Sequence, residues 1–187
     1  MTVTTRRACT RRQPPLITRP GTVHHMTPGT INLPDNSPVL QWDLHLPDPT
    51  TSAPRDMRFE SRFGAILNQH TADNVAVVLA PPDFNVAPVY LPGAVISRLT
   101  TCWEDTPDVH DEYGGPALEW TVDGGNDTRS YIALIGAVDI AGTLVNTAAI
   151  FPTSHVADDH DPFPVMIPED IVNDIADHFY SDQQITR

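Results

Sequence analysis

Hydrophobic and polar residues alternate along residues 39–46, VLQWDLHL, so that Leu40, Trp42 and Leu44 share one face. A period of two along the chain predicts a half-buried β-strand. Residues 75–82, VAVVLAPP, instead form a short continuous apolar run that ends in two prolines. Such a run predicts a buried central strand.

Three other segments show apolar residues at helical spacing. The first runs from Pro54 to His70 and carries the apolar side chains Met57, Phe59, Phe63, Ile66 and Leu67. The second spans residues 92–103, PGAVISRLTTCW, with a proline in its first turn. The third spans residues 168–182, PEDIVNDIADHFYSD, with acidic residues at its start. We therefore predict three helices.

Residues 117–152 predict three antiparallel strands, 117–122, 129–140 and 144–152, joined by short glycine-containing turns. The apolar run within them, residues 131–151, approaches the length of a membrane span. However, Asp139 near its middle would cost about 2.5–3.5 kcal/mol on insertion. Gly136 and Gly142 also favour two strands and a turn over one helix. We predict that this run does not cross a membrane.

The order of these elements predicts an α+β protein: one domain over residues 39–187, with a largely antiparallel sheet and about three helices. Residues 1–38 are rich in proline and threonine and show no sustained apolar period, so we expect an irregular N-terminal arm. No internal repeat is evident.

Charge is distributed unevenly along the chain. The net charge is −13, and all 11 basic residues are arginine. The first 34 residues carry +5 and the remainder −18. An acidic body should repel nucleic acid and anionic membranes, whereas a basic arm points to a different partner. The absence of lysine from the sequence excludes mechanisms that need a Schiff base or a phosphate-binding lysine.

The segment SHVADDHDPFP, residues 154–164, is the candidate for metal chemistry. His155, Asp158 and His160 are donor types that suit a divalent transition metal, with His110 or Asp108 as a further ligand. Their spacing matches no established ligand motif. We therefore favour a solvated acidic loop, in which the aspartates stabilise protonated histidine, and expect no cofactor.

Other motifs are weak. The loop EDTPDVHDEYGG, residues 104–115, surrounds His110 with five acidic residues, but no spacing forces two carboxylates together. The stretch DGGNDT, residues 123–128, fits a hairpin turn and not a calcium loop. No nucleophile elbow, phosphate-binding loop, dinucleotide fingerprint or C-x-x-C pair occurs in the sequence.

The arm supplies the remaining candidate contacts. Arg6, Arg7, Arg11 and Arg12 form two pairs that suit phosphates or an acidic protein surface. The sequence thus favours a non-enzymatic structural or interaction subunit of a larger assembly, such as a viral or phage particle. We expect protein partners in a homo- or hetero-oligomer, weak nucleic-acid contact through the arm, no membrane contact, and a soluble protein in the cytoplasm or in a virion.

Two alternatives stay open. One is a small metal-dependent hydrolase with its site at residues 155–160. The other is an acidic immunity or decoy protein whose body covers a basic surface.

Overall fold

A computed structural model describes residues 23–25, 30–47, 53–67, 71–84, 86–104, 118–123, 128–140, 143–153 and 164–184. Within them lie ten strands and two helices. In chain order these are β1 (Val23–His25), β2 (Thr30–Asn32), β3 (Val39–Pro47), β4 (Pro54–Leu67), β5 (Ala72–Leu79), β6 (Val89–Pro92), α1 (Gly93–Glu104), β7 (Leu118–Asp123), β8 (Thr128–Ile140), β9 (Thr143–Pro152), β10 (Val165–Pro168) and α2 (Glu169–Gln184).

The first sheet is built around the long strand β4. On one side β4 pairs with β3 along residues 54–62 and with β2 along residues 65–67. On the other side it pairs with β5, which in turn pairs with β6. All of these pairings are antiparallel. Strands β3 and β2 therefore follow one another along the same side of β4.

The second sheet has the order β1-β7-β8-β9-β10. Strands β7 to β10 pair antiparallel to their neighbours, whereas β1 adds to the outer side of β7 in parallel. Since β1 belongs to the second sheet and β2 to the first, the N-terminal segment contributes a strand to each sheet. Both strands lie inside residues 1–38, which the sequence predicts to be irregular.

Each helix begins directly after a short strand that ends in proline, Pro92 before α1 and Pro168 before α2. Proline ends the strand and has a φ angle suited to the first turn of a helix. The two helices contact each other, α1 packs on β5 and β6, and α2 packs on β9 and β10. Their buried faces and the facing sides of both sheets form one hydrophobic cluster that includes Phe59, Leu99, Trp120 and Ile175.

The predicted α+β class is wrong, because most of the described residues, 61%, lie in strands and only two helices occur among them. The error arises at residues 54–70, where a helix was predicted and β4 is found. Along β4, the buried side chains Met57, Phe59, Ser61 and Phe63 alternate with more exposed ones. This alternation, together with pairing partners on both sides, fits a strand within a sheet.

Other predicted elements are confirmed. Strands β3, β5, β7, β8 and β9 and helices α1 and α2 lie where the hydrophobic pattern predicts them. Strand β5 is a central strand between β4 and β6. The apolar run 131–151 forms two antiparallel strands and not one helix. Neither described helix is long and apolar enough to cross a membrane.

The structure also overturns the expectation of no internal repeat. Strands β3 to β6 followed by α1 form one unit, and strands β7 to β10 followed by α2 form a second unit with the same order. The strand registers align the two units. Trp42 pairs with Phe59 as Trp120 pairs with Tyr131. Further along the same strands, Gly64 and Gly136 occupy equivalent positions.

Equivalent positions of the two units share several residue types. The identical pairs are Leu40 and Leu118, Trp42 and Trp120, Gly64 and Gly136, Ala65 and Ala137, Asn74 and Asn146, Ala76 and Ala148, Val89 and Val165, and Pro92 and Pro168. Most of these residues lie on strands that carry the buried face of each unit.

Two tryptophans connect the units reciprocally. Trp42 of the first unit donates an indole hydrogen bond to the main-chain oxygen of Met166 in β10, at 3.0 Å. Trp120 of the second unit donates to the main-chain oxygen of Tyr90, the equivalent residue of β6, at 2.8 Å. Contacts that repeat with the partners exchanged are the mark of a two-fold interface. The chain is therefore organised as an approximate internal two-fold pair.

Candidate functional site

The outer face of β3 and β4 carries a row of cross-strand polar contacts, which we call the polar ladder: Gln41, Asp43, His45, Asp56, Arg58, Glu60 and Arg62. Arg58 binds Asp43 through two hydrogen bonds of 2.8 and 2.9 Å. The His45 ring contacts Asp56 at 2.8 Å. Glu60 accepts hydrogen bonds from Arg62 at 2.7 Å and from Gln41 at 3.0 Å. Three of these contacts follow from the register, which pairs Gln41 with Glu60, Asp43 with Arg58 and His45 with Asp56, whereas Arg62 and Glu60 are neighbours on one face of β4.

The ladder favours the ionised form of two of its carboxylates, Asp43 and Glu60. The hydrogen bond from Arg58 lowers the pKa of Asp43, with the Arg58 charge acting in the same direction. Hydrogen bonds from Arg62 and then Gln41 lower the pKa of Glu60. A general acid or base works best with a pKa near the working pH. The lowered pKa values move Asp43 and Glu60 away from that range, so the ladder suits an interaction surface better than acid–base chemistry.

Two of the ladder positions are apolar in the second unit, and the other five are polar there: Glu119, Thr121, Asp123, Thr128 and Ser130. The register makes Ile132 equivalent to Glu60 and Leu134 equivalent to Arg62. Arg62 is exposed, whereas Leu134 is only 9% exposed and Ile132 is half-buried. The two outer faces therefore differ in chemistry at these two positions, on a shared backbone arrangement.

A cleft of about 220 Å³ lies where the connection between β2 and β3 meets β4, β5 and α2. It is lined by Pro34, Ser37, Pro38, Phe63, Gly64, Asn74, His178 and Phe179. The rings of Phe63 and His178 lie 4.0 Å apart between centroids. The cleft is smaller than the roughly 300–1,000 Å³ of typical ligand pockets. Its size suits one apolar or aromatic side chain of a partner.

Hydrogen bonds and a glycine hold the cleft in shape. The Ser37 hydroxyl accepts a hydrogen bond from the Phe63 main-chain amide at 2.9 Å. Asn74 donates to the main-chain oxygen of Phe179 at 3.3 Å. A side chain at Gly64 would overlap the main-chain oxygen of Asn32 and approach Leu33 Cδ2 to 2.7 Å. Only glycine leaves room for the chain to pass this close.

The outer edge of β7 is where the N-terminal segment binds the body. Strand β1 pairs there in parallel, with Val23 opposite Glu119, His24 opposite Trp120 and His25 opposite Thr121. The equivalent edge of β3, at Gln41 to Asp43, has no partner strand among the described residues. Edge strands with unpaired backbone groups are natural sites for the addition of another strand.

None of the residues predicted as site residues can be placed. His155, Asp158 and His160 lie outside the described residues, as do His110 and Asp108. Arg6, Arg7, Arg11 and Arg12 lie outside them too. Within the part of the chain that the structure describes, no group of three or more His, Cys, Asp or Glu residues could hold a metal ion. The metal hypothesis for residues 155–160 is therefore untested.

Sequence reasoning missed the equivalence of Trp42 and Trp120, the polar ladder, and the Phe63–His178 contact. A signal for the first was present, because LQWDL and LEWTV share a Leu-x-Trp pattern, and VYLPGAVI resembles VMIPEDIV. No family model matches the chain, and no curated protein or solved structure is similar to it.

Proposed function

We propose that this protein is a non-enzymatic interaction subunit of a larger assembly, such as a viral or phage particle, and that its N-terminal segment makes the contacts between subunits. The observation that carries the proposal is strand addition by that segment. Residues 23–25 pair with β7 and residues 30–32 pair with β4, so the N-terminal segment binds sheet edges through its backbone.

Charge supports the same function. Residues 1–34 carry a net charge of +5 and the rest of the chain −18. Complementary charges speed association and fix the orientation of partners. A basic segment that ends in an edge-binding strand suits attachment to an acidic body of this kind. The small cleft beside α2, which has both apolar and polar lining residues, adds a place for one anchoring side chain.

The test is native mass spectrometry of the untagged full-length protein in volatile buffer without chelator. We expect an oligomer without bound metal. The variant Arg6→Ser/Arg7→Ser/Arg11→Ser/Arg12→Ser should dissociate at a lower ionic strength, because it loses the charges that attract the acidic body. Replacing Thr2, Thr4, Thr5 and Thr10 by alanine changes the same segment without changing its charge and should leave assembly intact.

Two results would overturn the proposal. One is a monomer over the whole accessible concentration range. The other is a monomer that carries one tightly bound transition metal per chain, which would favour the hydrolase hypothesis and direct attention to residues 155–160.

A further inference from the structure

The internal two-fold makes the outer edges of β3 and β7 equivalent. Trp42 and Trp120 lie at the same position of their strands, each opposite an aromatic residue, Phe59 or Tyr131. Both aromatic pairs are stacked, with ring centroids 5.8 and 5.3 Å apart. Each indole also makes the same hydrogen bond to the other unit. The two edges therefore present the same backbone direction in the same packing environment.

One of these edges is occupied. Residues 23–25 add to β7 in parallel, centred on the pair between His24 and Trp120. Strand addition at this position is compatible with the indole hydrogen bond, because Trp120 keeps its bond to Tyr90 while β7 carries β1. The interunit contact of Trp42 therefore does not prevent a strand from adding to β3.

The other edge is open among the described residues. Strand β3 pairs only with β4 there, and Gln41 and Asp43 are exposed on either side of the buried Trp42. Each chain has one Val23–His25 segment but two equivalent edges. Within the described residues, the second edge thus keeps unpaired backbone groups that can bind a strand from another molecule.

We infer that the edge of β3 at residues 41–43 is a docking site for the Val23–His25 segment of a second copy of this chain, which leaves its own β7 and adds to β3 in parallel, in the register that β1 has on β7. The inference rests on the proposed function and specifies which residues make the contact between subunits. The chain's own segment already fits the equivalent edge, and the basic residues that precede it would approach an acidic body. Since the segment and the edge are different surfaces, the contact is heterologous and builds a ring or a filament.

The register identifies the residue pairs to test. By equivalence with β1 on β7, residue 23 of one copy lies opposite residue 41 of the next. Directly paired residues of neighbouring strands are close enough for a disulfide. We therefore mix two full-length variants, Val23→Cys and Gln41→Cys, each with Cys9→Ser and Cys102→Ala, and oxidise the mixture. Different mass labels on the two variants identify each cross-linked product.

The expected result is a disulfide between residue 23 of one copy and residue 41 of the other. Val23→Cys mixed with Thr101→Cys, an exposed position on α1, should give none. Val23→Cys mixed with Glu119→Cys reports exchange of the segment onto β7 of another copy. Cross-linking to residue 119 and not to residue 41 would overturn the inference.

A second measurement uses the wild-type chain, so that it does not depend on the folding of variants. A synthetic peptide of residues 17–28 is added to isotope-labelled full-length protein. The amide signals of Gln41, Trp42 and Asp43 should shift and saturate at one peptide per chain. Shifts confined to residues 119–121, or no shifts, would overturn the inference.

The two proposals fail in different ways. An oligomer in the native mass spectrum without a 23–41 cross-link removes the β3 docking site and leaves the assembly function in place. A monomer under all conditions removes both.

Discussion

Trp42 donates its indole hydrogen bond to the main-chain oxygen of Met166, a residue 124 positions further along the chain, at 3.0 Å. Trp120 makes the equivalent bond to Tyr90 in the opposite direction, from the second unit to the first. Each of these two bonds joins one unit to the other, with the donor and acceptor units exchanged. They also allow the internal two-fold to be tested by comparing one residue with its counterpart.

Replacing Trp42 by phenylalanine should lower the free energy of unfolding by about 1–3 kcal/mol, because a buried carbonyl loses its donor. Trp120→Phe should cost a similar amount, since the two environments are equivalent. Urea unfolding followed by circular dichroism measures both changes. A large cost at one tryptophan and none at the other would contradict equivalence of the two contacts.

Gly64→Ala should destabilise the protein by about 1–3 kcal/mol through overpacking. The added methyl group would overlap the main-chain oxygen of Asn32 and come within 2.7 Å of Leu33 Cδ2. Gly93→Ala is the matched control, because a methyl group there meets only Asn74 and Phe179 at 3.8 Å. Thermal unfolding of both variants checks the prediction. Equal melting temperatures of the two variants would show that the residues around Gly64 accommodate the methyl group without loss of stability, which would contradict the prediction.

Acid should reduce the contribution of the polar ladder to the free energy of unfolding. Because the folded-state pKa values of Asp43 and Glu60 are lowered, the unfolded chain binds protons more readily than the folded one. The stability that they contribute is present at neutral pH. This stability begins to decline near the ordinary pKa values, 3.8 for Asp43 and 4.5 for Glu60. It is lost as the pH falls further, through the lowered pKa values of the folded state.

The variant Asp43→Asn/Glu60→Gln should therefore be less stable than the wild type at pH 7, and the difference should vanish at low pH. Urea unfolding across the acid range measures this convergence. Glu119→Gln, an exposed carboxylate on β7, serves as the control. A difference that stays constant with pH would show that the ladder is not the source of the acid sensitivity.

Alkali should weaken the protein through Tyr131. Its hydroxyl donates to the main-chain oxygen of Pro88 at 3.0 Å, and burial raises its pKa well above the ordinary value of 10.0. The folded state holds this proton while the unfolded chain releases it. The contribution of Tyr131 is thus complete below pH 10 and declines above it, by up to about 1.4 kcal/mol per pH unit.

Tyr131→Phe should flatten this decline, as measured by unfolding between pH 9 and 11. It should also lower stability at pH 7 by about 1 kcal/mol, because the Pro88 carbonyl loses its partner. Tyr180→Phe is the control, since Tyr180 is 52% exposed. An unchanged alkaline slope in Tyr131→Phe would exclude Tyr131 as the responsible group.

The hydrophobic pattern was sufficient wherever one period dominated. The alternation around Trp42 and the stripe Ile171, Val172, Ile175 and Phe179 gave β3 and α2 correctly. It failed in β4, where Phe59 and Phe63 fit the period of a helix as well as that of a strand. Tertiary pairing with β3 and β5 decides between the two, and pairing partners cannot be read from a local window.

The internal two-fold escaped the sequence for a different reason. The identical residues are scattered, and the connections between equivalent strands differ in length, so no fixed offset aligns the two units. Segments such as the one that joins β3 to β4 separate Trp42 from Phe59 more widely than Trp120 is separated from Tyr131. The signal becomes visible only when the strand registers supply the alignment. The open edge of β3 could therefore not be predicted from sequence.

The contrast between Glu60 and Arg62 on one sheet and Ile132 and Leu134 on the other has a consequence for polarity. In a dimer of identical chains every substitution changes both sides at once. Here one polypeptide encodes each unit separately, which allows charged residues at positions 60 and 62 and apolar residues at the equivalent positions 132 and 134. A protein whose two units differ in this way has a direction, and any array that repeats it head to tail has the same direction.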